Sequence, residues 1–256
     1  MYRREATDMG DFDVGIIIKS LPILWSGMLL SLKLFAIALA GGIFFGTLLA
    51  MARLSSFKLL SYPAAGFVNL IRSIPFIMAI FWFYFLTPVL VHKLTGQQGE
   101  AVGPFTSAIV AFIMVESAYY SEIIRAGIQS VPRGQPWAAY ALGMNYWQAM
   151  GFIVLPQAFR NMIPIMLTQA IILFQDTSLV YVVGLKDFLG AASTAGQLTG
   201  RSTELYIFVA LVFFVICFGA SKLVKYIQTR TDPTRQRPAE PPLPTGFLPQ
   251  TGDQGG

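Results

Sequence analysis

One cysteine and one histidine are the whole supply of thiol and imidazole in this 256-residue sequence. A disulfide framework is excluded, because a single thiol has no intramolecular mate. A metal cluster or a nucleophile–histidine–acid triad lacks its parts for the same reason. Charge is scarce too: Asp, Glu, Lys and Arg make up 12% of the chain, against roughly 25% in an ordinary soluble domain. No Gly-x-x-x-x-Gly-Lys-Ser/Thr run occurs, so the chain carries no phosphate-cradling loop of that kind. The net charge is +5, but the basic residues stand singly at the ends of apolar runs. No basic stripe interleaved with aromatics is present, which argues against nucleic acid as a partner.

Apolar residues fill the space that charge leaves. They make up 55% of the chain, 21 of them Phe, and the mean hydropathy is +0.60. Such a chain is too apolar to stay disordered. It is expected to be an all-α integral membrane protein in contact with the lipid bilayer over most of its length. A bilayer-spanning helix needs about 20 apolar residues. That length places spans at about 29–52, 60–91 (bent near Pro75), 105–125, 163–183 and 205–224, five in all. Residues 1–28 are expected to form an N-terminal segment with a short amphipathic helix lying in the interface at 15–28. Met9-Gly10 offers an alternative start, and no secretory leader is evident. The transmembrane domain is set at 29–228, with an inner loop at 129–160, polar loops at 92–104 and 184–203, and a Pro/Gly-rich disordered tail at 229–256.

Five spans put the termini on opposite sides. With the N-terminus outside, ten basic residues fall inside: Arg53, Lys58, Arg125, Arg133, Arg160, Lys222, Lys225, Arg230, Arg235 and Arg237. Six fall outside: Arg3, Arg4, Lys19, Lys93, Lys186 and Arg201. The excess inside favours an N-terminus outside and a C-terminus inside.

The inner loop carries the most specific pattern. Ala138-Ala139-Tyr140-Ala141-Leu142-Gly143 is followed by nine residues and then Ile153-Val154-Leu155-Pro156. Small alanines let a helix seat closely, Gly143 permits a sharp turn, and Met144, Tyr146 and Trp147 are side chains suited to an interface. This pattern resembles the EAA loop of ABC-importer permeases, which is Glu-Ala-Ala, three residues, Gly, nine residues, Ile-x-Leu-Pro. Here Trp137 stands where the family has Glu. The likeness extends through Arg72-Ser73-Ile74-Pro75, Ala118-Tyr119-Tyr120-Ser121-Glu122-Ile123-Ile124-Arg125-Ala126-Gly127-Ile128 and Leu155-Pro156-Gln157-Ala158. These runs are similar to the polar amino acid group of that family.

The resemblance implies a type I, MetI-like importer permease fold. It implies docking of the loop, through Trp137, Ala138, Ala139, Gly143, Met144, Tyr146, Trp147, Leu155 and Pro156, on a cytoplasmic ATPase dimer. It also implies a second homologous permease subunit, a periplasmic amino-acid-binding protein and a place in the bacterial inner membrane. ATP and Mg would be held on the partner ATPase, with no cofactor or metal in this chain and no enzymatic role for it. The run Phe174-Gln175-Asp176-Thr177-Ser178-Leu179-Val180-Tyr181, with Arg133-Gly134-Gln135, implies glutamate or aspartate as substrate.

Charges inside the bilayer cost roughly 2.5–3.5 kcal/mol each on insertion scales, so each needs a reason. Lys33 lies near a span end and can snorkel. Gln175, Asp176, Thr177 and Ser178 are expected to line the substrate path, Asp176 meeting the α-ammonium of an amino acid. Arg72 either answers a second substrate carboxylate in two-pronged fashion or pairs with Asp176 or Glu116. Glu122 and Arg125, three apart on one helix, are expected to pair locally. The alternative to an ABC importer is an ion-coupled secondary transporter, which predicts inverted repeats that the sequence does not show. A membrane-embedded enzyme would need convergent catalytic groups that are missing.

Overall fold

Asp13 starts the first helix: its carboxylate accepts the N–H of Gly15 at 2.7 Å and satisfies a donor that the first turn leaves free. In the computed structural model, which describes residues 12–96 and 102–231, helix α1 then runs without interruption over Val14–Leu54. The expected boundary between an interfacial helix and a first span at 28/29 falls inside α1. No helix-breaking pair separates the two parts, and Pro22 is carried within the helix. Nor is the segment amphipathic in the expected sense. Ile18, Leu21, Trp25 and Leu29 point outward, while Ser20, Gly27 and Ser31 are buried. At 1.5 Å per residue, the 41 residues of α1 extend about 60 Å, twice a bilayer core of about 30 Å.

The segment expected to be one bent span at 60–91 is two helices, α2 (Lys58–Arg72) and α3 (Phe76–Thr95). Pro75 has φ −56° and ψ 135° and opens α3 from outside the helix. A residue before proline is pushed out of the α region, so the chain breaks at Ser73–Pro75 instead of kinking. Helix α2 is short and hides only Ala64, Val68 and Ile71. Helix α3 continues to Thr95, past the expected start of the loop at 92.

Helix α4 (Pro104–Gln129) is the most enclosed of the spans and packs along the length of α1. The contact is close because Gly42 and Gly46 face it. A Cβ on Gly46 would lie 2.7 Å from the Tyr120 Cβ and 3.0 Å from the Ser117 carbonyl oxygen. Leu34 and Ala38 of α1, Ile80 of α3, and Ala108 and Phe112 of α4 then close one apolar core. Phe76 meets Phe112 edge-on at 4.9 Å.

After α4 come α5 (Gly134–Ala141), α6 (Tyr146–Gln148), a π-helical segment (Ala149–Val154), α7 (Leu155–Asp176) and a 3₁₀ segment (Thr177–Val183). Helices α8 (Phe188–Thr199) and α9 (Ser202–Thr231) complete the described chain. The expected loop at 184–203 therefore contains a helix. Its polar residues mask a buried small-residue face of Gly190, Ala191, Ala192, Ala195 and Gly196, which packs between α1 and α9. Asp187 caps it, accepting the N–H of Leu189 at 3.1 Å and of Gly190 at 3.0 Å. The N–H of Phe188 donates to the Ser31 hydroxyl of α1 at 3.1 Å. Asp187 is fully buried. Burial pushes its carboxyl up to about 6, against the downward pull of its backbone donors.

Among the described residues, five helical stretches are long and apolar enough to cross a membrane: Val14–Leu54, Phe76–Thr95, Pro104–Gln129, Tyr146–Val183 and Ser202–Thr229. Large apolar side chains such as Phe44, Trp82, Phe85 and Phe214 face outward, and Ser107, Glu116, Ser117 and Ser121 face inward. Lipid as the outer solvent explains this inversion, since apolar side chains there lose nothing by exposure. Residues 229–231 of the expected tail belong to α9, and 232–256 lie outside the described residues, as does the possible extension at 1–8.

Candidate functional site

Two features bring together the residues expected to act. The first is the loop between α4 and α7. Its apolar underside is held by Val131, Val154 and Ala158, with Ile128 and Met150 alongside. Ala139 seats α5 from within and is 3% exposed. The chain then reverses at Gly143, whose φ of +83° only glycine adopts without strain. Asn145 restarts the helix with a reciprocal cap, its side chain accepting the Gln148 N–H and its own N–H donating to the Gln148 amide oxygen, both at 2.9 Å.

This frame turns the aromatic side chains outward. Trp137 is 68% exposed and Trp147 is 80% exposed. Trp137 pairs edge-on with Tyr140 at 6.0 Å, and Tyr146 with Trp147 at 5.3 Å. Ala138 is exposed beside them, while Met144 and Leu155 are half-buried. Pro156 stands in the first turn of α7. It lies within a helical run that begins at Tyr146, and the π turn at Ala149–Val154 immediately precedes it. A proline has no N–H to give to the preceding turn, and π turns are a common site of such adjustment.

The second feature is a polar face where α7 meets α4. Glu116 is 1% exposed, and its carboxylate accepts the Gln169 amide N–H at 3.2 and 3.3 Å. Asp176 lies seven residues after Gln169, on the same side of α7. Next to this line runs an exposed one, Asn161, Thr168 and Gln175, again spaced by seven. Of the four expected path residues, Asp176 keeps its carboxyl on the Gln169 side of α7, and the Gln175 side chain reaches Cys217 of α9. The Thr177 and Ser178 hydroxyls donate to the carbonyls of Phe174 and Gln175, each at 2.7 Å, and help form the 3₁₀ turn that follows. The sequence reading singled out 175–178 as a contiguous run and missed Gln169, Asn161 and Thr168. The signal was there, as a seven-residue polar repeat inside an apolar segment.

Arg72 pairs with neither Asp176 nor Glu116. Its Nη1 lies 3.7 Å from the Glu122 carboxylate, and its guanidinium sits over the Tyr119 ring at 5.7 Å. Glu122 does pair with Arg125 as the spacing suggested, and it also takes Arg53 of α1 at 2.7 Å. Lys33 lies against the Phe105 ring at 5.0 Å, away from both features.

Residues 42–233 match the family described as the binding-protein-dependent transport system inner membrane component. The chain is 50% identical over 223 residues to the glutamate/aspartate import permease protein GltK of Escherichia coli O6:H1, covering 87% of this chain and 100% of that protein. It is 31% identical to the arginine transport system permease protein ArtQ of Bacillus subtilis, covering 86% of this chain and 97% of that one. Among solved structures, the crystal structure of an amino acid ABC transporter with histidines superposes with a TM-score of 0.77 at 31% identity, over 86% of this chain and 99% of its counterpart. The MetNI methionine ABC transporter shares the fold, with a TM-score of 0.57 at 19% identity. On the family match and these identities, the chain belongs to the inner membrane components of binding-protein-dependent transport systems.

Proposed function

We propose that this chain is the membrane-spanning permease subunit of an ATP-driven importer of polar amino acids, with glutamate and aspartate as its substrates. The observation that carries the reading is the helix–turn–helix at 134–148, whose Trp137 and Trp147 project from a bundle that otherwise turns apolar side chains outward to lipid. Exposed tryptophans on a capped, glycine-turned frame suit a protein partner. A cytoplasmic ATPase dimer is that partner, and ATP with Mg on that dimer supplies the driving force. The named substrate of the 50% identical relative supports the choice of acidic amino acids. The complete importer adds a second permease subunit and a periplasmic amino-acid-binding protein. The chain sits in the inner membrane with its N-terminus periplasmic and its C-terminus cytoplasmic.

Substrate passes along the polar face of α7. An exposed stripe of Asn161, Thr168 and Gln175 on a spanning helix is costly against hydrocarbon and favourable against water or a polar solute. Asp176 meets the α-ammonium of the substrate and the Gln175 amide meets a carboxylate. Thr177 and Ser178 shape the turn that holds these two. Arg72, engaged with Glu122, is left out of the path.

The test is uptake by the complete complex in proteoliposomes, with ATP hydrolysis followed in parallel. Asp176→Asn is expected to lower glutamate uptake about ten- to a hundredfold, the loss of one charged hydrogen bond of roughly 1.5–3 kcal/mol. ATP hydrolysis is expected to continue. Unchanged uptake removes Asp176 from the path. Robust transport by this chain without an ATPase overturns the importer reading.

A further inference from the structure

The side chains around Glu122 form a hub that nothing in the proposed path or loop docking uses. Three helices send an arginine to this one carboxylate. Arg53 near the end of α1 donates from Nη1 to Oε2 at 2.7 Å. Arg72 in the last turn of α2 approaches the same oxygen at 3.7 Å. Arg125, one turn further along α4, holds Oε1 through Nη2 and reaches Oε2 through Nε at 3.3 Å. The Arg53 side chain is 9% exposed, and its buried Nε has no hydrogen-bond partner. Three positive charges against one negative make Glu122 the element that keeps the helix ends together. Without its charge, three guanidinium groups would face one another at close range, Arg53 with little access to solvent.

The hub continues toward the loop. Arg125 donates through Nη1 to the Gln129 side chain in the last turn of α4. The next residue, Ser130, accepts the Asn161 amide of α7 at 2.9 Å. Gln135 at the start of α5 accepts the Gln157 amide of α7 at 3.3 Å. Polar contacts therefore run from α5 and the start of α7, through the end of α4, to α1 and α2. Neither of those two helices packs extensively against α5.

We propose that Glu122 is a positioning residue for transport: its carboxylate ties α1 and α2 to the loop-bearing end of α4, so that loop movement reaches them. The proposal rests on the permease reading above. When the loop shifts, α4 moves with it, and Arg53 and Arg72 draw α1 and α2 along. Contacts of this kind carry coupling between sites only if their removal changes coupling and leaves the separate activities in place.

The experiment uses the complete complex in proteoliposomes and reads substrate moved per ATP hydrolysed. Glu122→Gln keeps the size of the side chain and removes the charge. It is expected to lower that ratio about tenfold, within the range usual for coupling between sites, while hydrolysis persists. Glu122→Asp, which restores the charge, is expected to recover part of the ratio. Uptake and hydrolysis falling in proportion, or an unchanged ratio, overturns the proposal. If Glu122→Gln does not assemble, Arg72→Gln carries the test, because Arg72 is the most exposed of the three partners at 39%. The same lowered ratio is expected there, and a proportional loss or an unchanged ratio overturns the proposal. A wild-type complex without ATP-dependent uptake fails the permease reading itself, which separates the two outcomes.

Discussion

Asp187 shows how one side chain serves local structure and global packing together. It caps α8 through two backbone donors and lies fully buried where α8 meets α1. Burial lifts its carboxyl from the usual 3.8 to about 6, so the fold favours the neutral form over the charged one. The stabilisation from the neutral form is complete below 3.8 and is lost as pH rises through about 6. Melting temperatures of the detergent-solubilised complex are therefore expected to fall across that window. Asp187→Asn removes the titration and should flatten the slope there; a persisting slope would assign it to another group. Neither the burial nor the shift was legible in the sequence, where Asp187 stands beside Lys186 in a stretch that looks like a solvated loop.

Individual elements were legible to different depths. The spans at α1, α4 and α9 follow from long apolar runs, because lipid selects length and hydropathy directly. The break at Ser73–Pro75 was harder, since a proline can kink a helix or end one, and local sequence does not say which. Helix α8 was missed because its packing surface is made of glycine and alanine, which carry little hydropathy but allow close approach. The loop at 134–148 was the best defined. Its glycine turn, its alanine seat and its exposed aromatics all follow from residue type and spacing. Gly143→Val places a branched side chain at φ +83°, a conformation costing an L-residue roughly 1–2 kcal/mol. The variant is expected to lose co-purifying ATPase and uptake together. Gly66→Ala is the control, since a Cβ there meets nothing within 4 Å, and it should behave as wild type. Retention of ATPase by Gly143→Val would show that the turn does not position the docking surface.

At the scale of the whole molecule, the distribution of charge sets orientation. In the proposed orientation the excess of lysine and arginine lies inside, with the α5 loop in the cytoplasm and the α8–α9 junction outside. Leu142 and Leu198 are both well exposed, at 84% and 80%, and sit on these two segments. The native Cys217 is buried and gives a quiet background for labelling. In intact cells, Leu198→Cys is expected to react with a membrane-impermeant maleimide and Leu142→Cys to react only after lysis. The reverse pattern would invert the topology and remove the loop from the cytoplasm.

Composition and spacing alone determined that this chain lives in a membrane, crosses it about five times and offers an aromatic loop with a glycine turn. These are properties of residue type along a line, and lipid and backbone geometry read them locally. Which charges meet was decided only in three dimensions. Arg53, Arg72 and Glu122 come from three helices, 69 residues separating the first and last, and their meeting depends on α1 packing against α4 through Gly42 and Gly46. The pairing of Glu116 with Gln169, 53 residues apart, depends in the same way on where α7 lies against α4. In a chain with so little charge, helix packing sorted the few ionic and amide groups into a hub at one end of the bundle and a polar face along α7.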